Sequence, residues 1–152
     1  MKKKERKVED LLVWQQAILV AKSIYRSFAD LADFGFRNQI QRASISISNN
    51  IAEGFYRKSD REFKRFLIIA LGSLWELKSM LIVALNLNYI CKEKQIELMS
   101  QLNQIGKMIN SLINYLIIAI ERNKWKRREF LRVPTYFHQR LTSNVQRLPS
   151  NV

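Results

Sequence analysis

Apolar residues recur every three or four positions through the first 120 residues, which is the spacing of helices that bury one face. Short polar or glycine-containing turns divide this pattern into four segments. They predict helices over about residues 8–32, 36–55, 60–87 and 92–123. The first proline is Pro134, and a long stretch without proline suits long helices. We therefore predict an all-α fold, an antiparallel up-down-up-down four-helix bundle formed by residues 1–123.

The residues expected to face the core follow from the same spacing. The inward stripes run from Trp14 to Leu31 with Tyr25 included, from Ile40 to Ile51, from Phe63 to Leu85, and from Ile96 to Ile120. The segment SISIS at 44–48 alternates like a strand, but its flanking residues keep helical spacing, and we interpret it as helix.

Several positions expected to face the core are small or polar, and such residues let helices approach closely. They are Ser46, Asn50, Gly54, Gly72 and Ser73. The turn after Gly54 leads into Ser59-Asp60-Arg61-Glu62, a capping-box spacing. In that motif the serine hydroxyl accepts the N–H of Glu62, and the Glu62 side chain accepts the N–H of Ser59.

Two segments are more apolar than the surface of a monomer requires. The surplus residues are Ile68, Ile69, Trp75, Ile82, Ile113, Ile117 and Ile118. We predict that they form an interface between subunits of a homo-oligomer. A broad core within one subunit is the alternative.

The formal charge of +13 is unevenly distributed. Residues 34–65 carry seven bases and three acids, and residues 122–152 carry eight bases and one acid. Residues 11–33 and 66–121 are balanced. Segregated positive charge of this kind is typical of proteins that bind polyanions.

The turn between the second and third helices is the first candidate nucleic-acid-binding site. Its cations are Arg57, Lys58, Arg61, Lys64 and Arg65. The last three share a helix face, the N–H groups at the start of the helix suit a phosphate, and Phe55 and Tyr56 offer rings that can stack on a base.

The C-terminal region is the second candidate. Residues 124–152 lack sustained apolar periodicity, and we predict a basic, flexible tail. Its cations Lys124, Lys126, Arg127 and Arg128 alternate with Trp125 and Phe130, a pattern of sequence-independent nucleic-acid contact. A solvated basic face is the alternative for both sites, and a membrane surface is a further alternative for the tail, where Trp125 and Phe130 lie beside arginines.

The sequence offers no set of residues for catalysis. Cys91 is the only cysteine and His138 the only histidine, so we expect no disulfide, no metal site and no cofactor. Glu53 and Glu76 resemble a carboxylate pair between the second and third helices, but the histidine ligands of di-metal bundles are absent. We expect a structural role for a set of polar residues: Gln39, Arg42, Asn50, Glu53 and Glu76.

No secretion signal follows the charged N-terminus. The longest uncharged runs, Ser79–Cys91 and Met108–Ile120, are shorter than the roughly 18–20 residues that span a bilayer. We expect a cytoplasmic protein without a membrane partner.

One group of residues resembles a known family over roughly residues 8 to 121. The string NIAEG at Asn50–Gly54 is followed by Arg57, Ser59, Glu62, Phe63, Phe66, Leu67, Ala70, Gly72, Ser73 and Glu76. Upstream lie Leu12, Val13, Trp14, Ala17, Tyr25, Gln39, Ile40, Arg42 and Ala43. This pattern is similar to that of the bacterial four-helix-bundle 23S ribosomal RNA intervening-sequence proteins, a family related to the accessory protein (Avd) of diversity-generating retroelements.

The resemblance implies a four-helix bundle that assembles as a homopentamer, and a reverse transcriptase as a possible partner. Together with the charge distribution, it predicts a non-enzymatic protein that binds structured RNA or RNA–DNA hybrids. The alternative is a protein–protein interaction scaffold that does not contact nucleic acid.

Overall fold

The computed structural model describes residues 7–57 and 59–132, with side chains up to residue 123. A short 3₁₀ helix at Val8–Asp10 precedes four α-helices. These are α1 (Leu12–Ser27), α2 (Phe34–Phe55), α3 (Asp60–Asn86) and α4 (Lys92–Arg132). The described residues contain no strand, which confirms the all-α bundle and the helical interpretation of SISIS.

The chain divides into two units between Ile117 and Ile118, within α4. The four-helix core belongs to the first unit. The described part of the second unit is the helical segment 118–132. The fourth helix was predicted to end at residue 123, whereas α4 continues to Arg132.

Three predicted helix boundaries in the first half of the chain differ from the observed ones because of local backbone geometry. The first helix ends at Ser27 rather than at residue 32, since the backbone of Phe28 (φ −115°, ψ 15°) leaves the helical conformation. The first predicted helix is interrupted at Leu11, whose extended backbone (φ −82°, ψ 115°) separates the 3₁₀ helix from α1. The second helix begins at Phe34, because the Asp33 side chain caps it by accepting the N–H of Phe36 at 3.0 Å. Asp33 is therefore the N-cap, and Phe34 and Gly35, which precede the predicted second helix, form the beginning of α2.

The register of α2 against α3 is marked by close contacts at small residues in two places. The hydroxyls of Ser46 and Ser73 lie 2.8 Å apart across the two antiparallel helices. Nearer the turn, Gly54 is buried, and a Cβ built there would lie 2.7 Å from the Cβ of Phe66 and 2.9 Å from a ring carbon of Phe63. Because that separation is too short for a side chain, glycine at 54 lets α2 and α3 approach closely. Gly72, expected in the core, is instead exposed.

The α1–α2 and α3–α4 connections contact each other at the other end of the bundle. Asn88, with φ 57°, ends α3 in a Schellman arrangement in which Tyr89 N–H donates to Ala84 O at 2.8 Å. The Tyr89 hydroxyl donates to Asp33 Oδ2 at 3.1 Å, and its ring packs edge-on to Phe36 at 5.4 Å. The hydrogen bond to the Asp33 carboxylate, with some burial and its negative charge, raises the pKa of Tyr89.

The core contains residues from all four helices. Its fully buried side chains include Ile24, Phe28, Ile40, Ile47, Ile51, Leu67, Leu74, Leu77, Leu81, Leu98, Leu102 and Ile105. Ser44 and Ser48 are also buried, and their hydroxyls donate to the carbonyls of Gln41 and Ile45, three residues back. A helix therefore accommodates serine at these positions without leaving a buried polar group unpaired.

Two residues of the predicted inward stripes lie at the surface. Tyr25 is exposed, and Ile96 is 55% exposed while Leu98 is buried instead. Ile96 lies in the first turns of α4. Counting back from Met99 by helical spacing placed Ile96 on the inward face, but the first buried residue of α4 is Leu98, two residues later.

Among the described residues, one helix, α3, is long and apolar enough to cross a membrane by length and composition. Charged residues interrupt α3, so its uncharged runs alone did not predict such a helix. Of its apolar window, 44% is buried within the protein. The buried residues of this window belong to the core, and its other residues are half-buried or exposed.

Candidate nucleic-acid interface

The connection between α2 and α3 is short and is held by hydrogen bonds at both helix ends. Tyr56 follows α2, and its N–H donates to Ala52 O at 3.3 Å. Ser59 precedes α3, and its hydroxyl accepts the N–H of Glu62 at 3.2 Å. The structure contains this first bond of the predicted capping box. The backbone on either side of the turn is thus fixed.

Three rings form an aromatic cluster beside this turn. Phe55 lies 5.2 Å from Tyr56 and 6.1 Å from Phe63, in both cases nearly perpendicular (87° and 85°). The Phe63 ring also lies against Gly54, where it occupies space that a Cβ would need. The glycine contact between the two helices therefore brings Phe63 under Phe55. Phe55 and Tyr56 were predicted as rings that can stack on a base, whereas Phe63 was predicted only to face the core.

The first cation of the turn is already engaged. Arg57 forms an ion pair with Glu53, one helical turn earlier, and its guanidinium lies 5.0 Å from the centre of the Phe66 ring. Glu53 thereby compensates the charge of Arg57, and stacking fixes the side chain. Lys58 lies outside the described residues.

The next three cations lie on the first two turns of α3. Arg61 and Arg65 are exposed, and Lys64 is half-buried. Within the part of the chain that the structure describes, none of the three forms an ion pair. Arg61 and Arg65 are four residues apart, which places them about 6 Å apart along the helix axis on one side of it. We call Arg57, Arg61, Lys64 and Arg65 the basic turn.

The second predicted basic site is only partly within the described structure. The backbone at Lys124, Lys126, Arg127 and Arg128 belongs to α4. Their side chains, and residues 133–152, lie outside what the structure describes. The prediction that they bind nucleic acid therefore remains a prediction.

The predicted interface residues of α3 all lie at its surface. Ile68, Ile69, Trp75 and Ile82 are exposed, Trp75 by 61%. We call these four residues the α3 face. Lys78 stacks on the Trp75 ring at 4.4 Å and also donates a hydrogen bond to Asn103 on α4.

The surplus apolar residues of α4 divide into two groups. Ile117 and Ile118 are exposed, as expected of interface residues. Ile113 is 9% exposed and belongs to the core. Its inclusion in the predicted interface is a mistake, because the broad apolar segment of α4 mixes core and surface positions that composition alone does not separate.

The predicted polar residues lie in separate places on α2 and α3. A cleft of about 490 Å³ is lined by three of them, Gln39, Arg42 and Glu76, and by Ser46. Asn50 donates to the carbonyl oxygen of Ser46 at 2.7 Å and to its hydroxyl at 3.1 Å.

The structure does not bring Glu53 and Glu76 together. Glu76 is in the cleft with Arg42 and Ser46, whereas Glu53 is seven residues beyond Ser46 and pairs with Arg57. Seven residues correspond to about 10 Å along the helix, so the two carboxylates do not form a pair. No three potential metal-ligating side chains cluster among the residues described.

Comparison with known proteins supplies the context for this geometry. No curated protein matches the chain. A crystal structure of a protein of unknown function from the S23 ribosomal protein family of Bacteroides thetaiotaomicron is similar, with a TM-score of 0.65 and 26% identity. The similarity covers 68% of this chain and 96% of that protein. The family model described as 23S rRNA-intervening sequence protein matches residues 9–111, which include α1 to α3, the basic turn and much of α4. The chain therefore belongs to the 23S rRNA-intervening sequence protein family.

Proposed function

We propose that this protein is a non-enzymatic, homo-oligomeric RNA-binding protein of the cytoplasm that takes structured RNA or RNA–DNA hybrids at its basic turn. The observation that supports it most is a set of three cations on α3 that form no ion pair among the described residues, beside the exposed ring of Tyr56. Phosphate contacts from arginine and lysine supply most of the affinity in sequence-independent binding.

The α3 face supports the homo-oligomer. Ile68, Trp75 and Ile82 are seven residues apart, so they recur every second turn on one side of α3, and Ile69 is exposed beside Ile68. The same side of α3 carries Arg61 and Arg65 near its beginning. Burying the α3 face between subunits would therefore bring one basic turn from each subunit into a common assembly, where weak phosphate contacts add up by avidity.

The resemblance to retroelement accessory proteins extends the proposal in two respects. It sets the expected subunit number at five and suggests a reverse transcriptase as a docking partner. Light scattering should then give a mass near five times 18.0 kDa. Co-purification with a reverse transcriptase encoded beside this gene tests the docking, and a gene with no such neighbour would contradict it.

Binding to a fluorescent structured RNA across a salt series tests the RNA proposal. The slope of log K against log salt should be about −0.7 to −0.9 per phosphate contacted. Replacing Arg61, Lys64 and Arg65 together by alanine should reduce both the affinity and the slope. A matched triple variant, Lys22, Lys92 and Arg26 to alanine, removes the same charge from exposed positions on α1 and at the start of α4, and it should bind nearly as well as the parent.

The alternative function is a protein-interaction scaffold, which the exposed α3 face also supports. The two triple variants distinguish the possibilities. If both bind RNA alike while the oligomer stays intact, the basic turn does not bind RNA and the scaffold is the better account. An affinity for RNA that is absent at low salt leads to the same conclusion.

The interface has its own test. Ile82→Glu places a charge on the α3 face, and Ile96→Glu places one on an isoleucine of similar exposure on α4 (49% against 55%). Ile82→Glu should dissociate the oligomer because a buried unpaired carboxylate is strongly unfavourable. Ile96→Glu should leave the mass unchanged. A parent protein that is monomeric would contradict the homo-oligomer itself.

A further inference from the structure

The most exposed ring of the aromatic cluster belongs to a residue whose backbone is held at the end of α2. Tyr56 is 63% exposed, and the hydrogen bond from its N–H to Ala52 O holds its backbone at the end of α2. Within the described residues its hydroxyl makes no hydrogen bond. The protein therefore fixes the base of this side chain while leaving most of the ring in solvent.

Phe55 and Phe63 support that ring from one side. The Phe55 and Tyr56 rings are nearly perpendicular, with centres 5.2 Å apart, and Phe55 is fixed in turn by Phe63. A perpendicular neighbour covers at most one face of a ring. At least one face of Tyr56 is thus free of Phe55.

The charges around Tyr56 complete the surface. Arg57, the next residue, is neutralised by Glu53 and held against Phe66, so it positions the start of the turn. Arg61 and Arg65, which form no ion pair among the described residues, follow on α3. An open aromatic face next to cations is the combination that binds single strands, since the cations take phosphates and the ring stacks on a base.

We propose that Tyr56 stacks on an unpaired base, so that the RNA bound at the basic turn is a single-stranded segment such as a loop or bulge. This inference rests on the proposed function. A duplex hides the faces of its bases and presents phosphates and groove edges, so only the cations of this surface would engage it.

The experiment compares three fluorescent probes with equal numbers of phosphates: a single-stranded oligouridine, the same strand with abasic sugars, and a blunt RNA duplex. The full-length protein should prefer the oligouridine. Tyr56→Ala should weaken oligouridine binding by about 5- to 150-fold and leave binding to the abasic strand unchanged. Tyr56→Phe keeps the ring and should retain the preference. Tyr25→Ala, which removes an exposed tyrosine on α1, is the matched control.

The outcomes separate this inference from the proposed function. If Tyr56→Ala and Tyr25→Ala bind oligouridine equally, or if the parent binds all three probes alike, Tyr56 does not stack on a base, while RNA binding by the basic turn still stands. If none of the three probes binds, both the inference and the proposed function are overturned.

Discussion

Gly54→Ala tests directly how closely α2 and α3 approach each other. The new Cβ would lie 2.7 Å from the Cβ of Phe66 and 3.3 Å from the carbonyl oxygen of Phe63. Both obstructing atoms are at or next to the backbone of α3, so a side-chain rotation does not remove the contact. The two helices must separate, and that motion disturbs the ring packing beneath Phe55.

Two opposing effects set the magnitude. Alanine is favoured over glycine within a helix by up to about 1 kcal/mol. Overpacking a well-packed site costs about 1–3 kcal/mol, and here it acts through the backbone and should exceed the gain in helix propensity. We expect a net destabilisation of about 1–2 kcal/mol. For a domain of this size that lowers Tm by roughly 3–8 °C.

Thermal unfolding followed by circular dichroism, at one protein concentration, measures this difference. Gly106→Ala is the matched control, because its Cβ would lie 3.8 Å from Leu74 Cδ1, an ordinary contact. It should raise stability by about 0.5–1 kcal/mol. If Gly54→Ala unfolds at or above the temperature of the parent while Gly106→Ala behaves as expected, the close approach of α2 and α3 is refuted.

Three further predictions follow from individual contacts. Ser73→Ala should cost about 1 kcal/mol, and a double-mutant cycle in urea with Ser46→Ala should show coupling between the hydroxyls, whereas strictly additive effects would contradict their hydrogen bond. Tyr89→Phe should also lower the free energy of unfolding near neutral pH, because it removes the hydrogen bond to Asp33. Because the folded pKa of Tyr89 is raised from 10.0 by its bond to Asp33, the stability it contributes is present below pH 10 and lost as pH rises through the folded pKa. Unfolding of parent and variant should therefore converge at high pH, and a constant difference would contradict this. Gly72→Ala should stabilise a subunit by up to about 1 kcal/mol, since nothing lies within 4 Å of its Cβ, but should weaken the oligomer if a neighbouring helix contacts the α3 face there. Light scattering on dilution measures the second effect, and an equally stable oligomer would exclude close contact at Gly72.

The candidate site was partly accessible from sequence. The cations of the turn and the rings at Phe55 and Tyr56 are adjacent in the chain, so sequence reveals them. The contacts of Arg57, an ion pair with Glu53 and stacking on Phe66, could not be predicted from the sequence. The stacking depends on the register of α2 against α3, which is set by contacts between residues far apart in sequence.

The predicted carboxylate pair shows the same limit. Glu53 and Glu76 are both on facing helices, and periodicity gives each a plausible face. Their separation along the helix axis depends on which residue of α2 lies opposite which residue of α3. The contact between Ser46 and Ser73 fixes that register and places Glu76 beside Arg42 instead.

The sequence by itself determined the four helices, the basic turn and the α3 face, because these depend on periodicity and on residues near one another in the chain. The tertiary structure decided the separation of Glu53 from Glu76, the burial of Ile113 and the support of Tyr56 by Phe55 and Phe63. The physical reason is that a helix can slide and rotate against its neighbour with little change in its own pattern. Close contacts such as those at Gly54 and Ser73 select one arrangement.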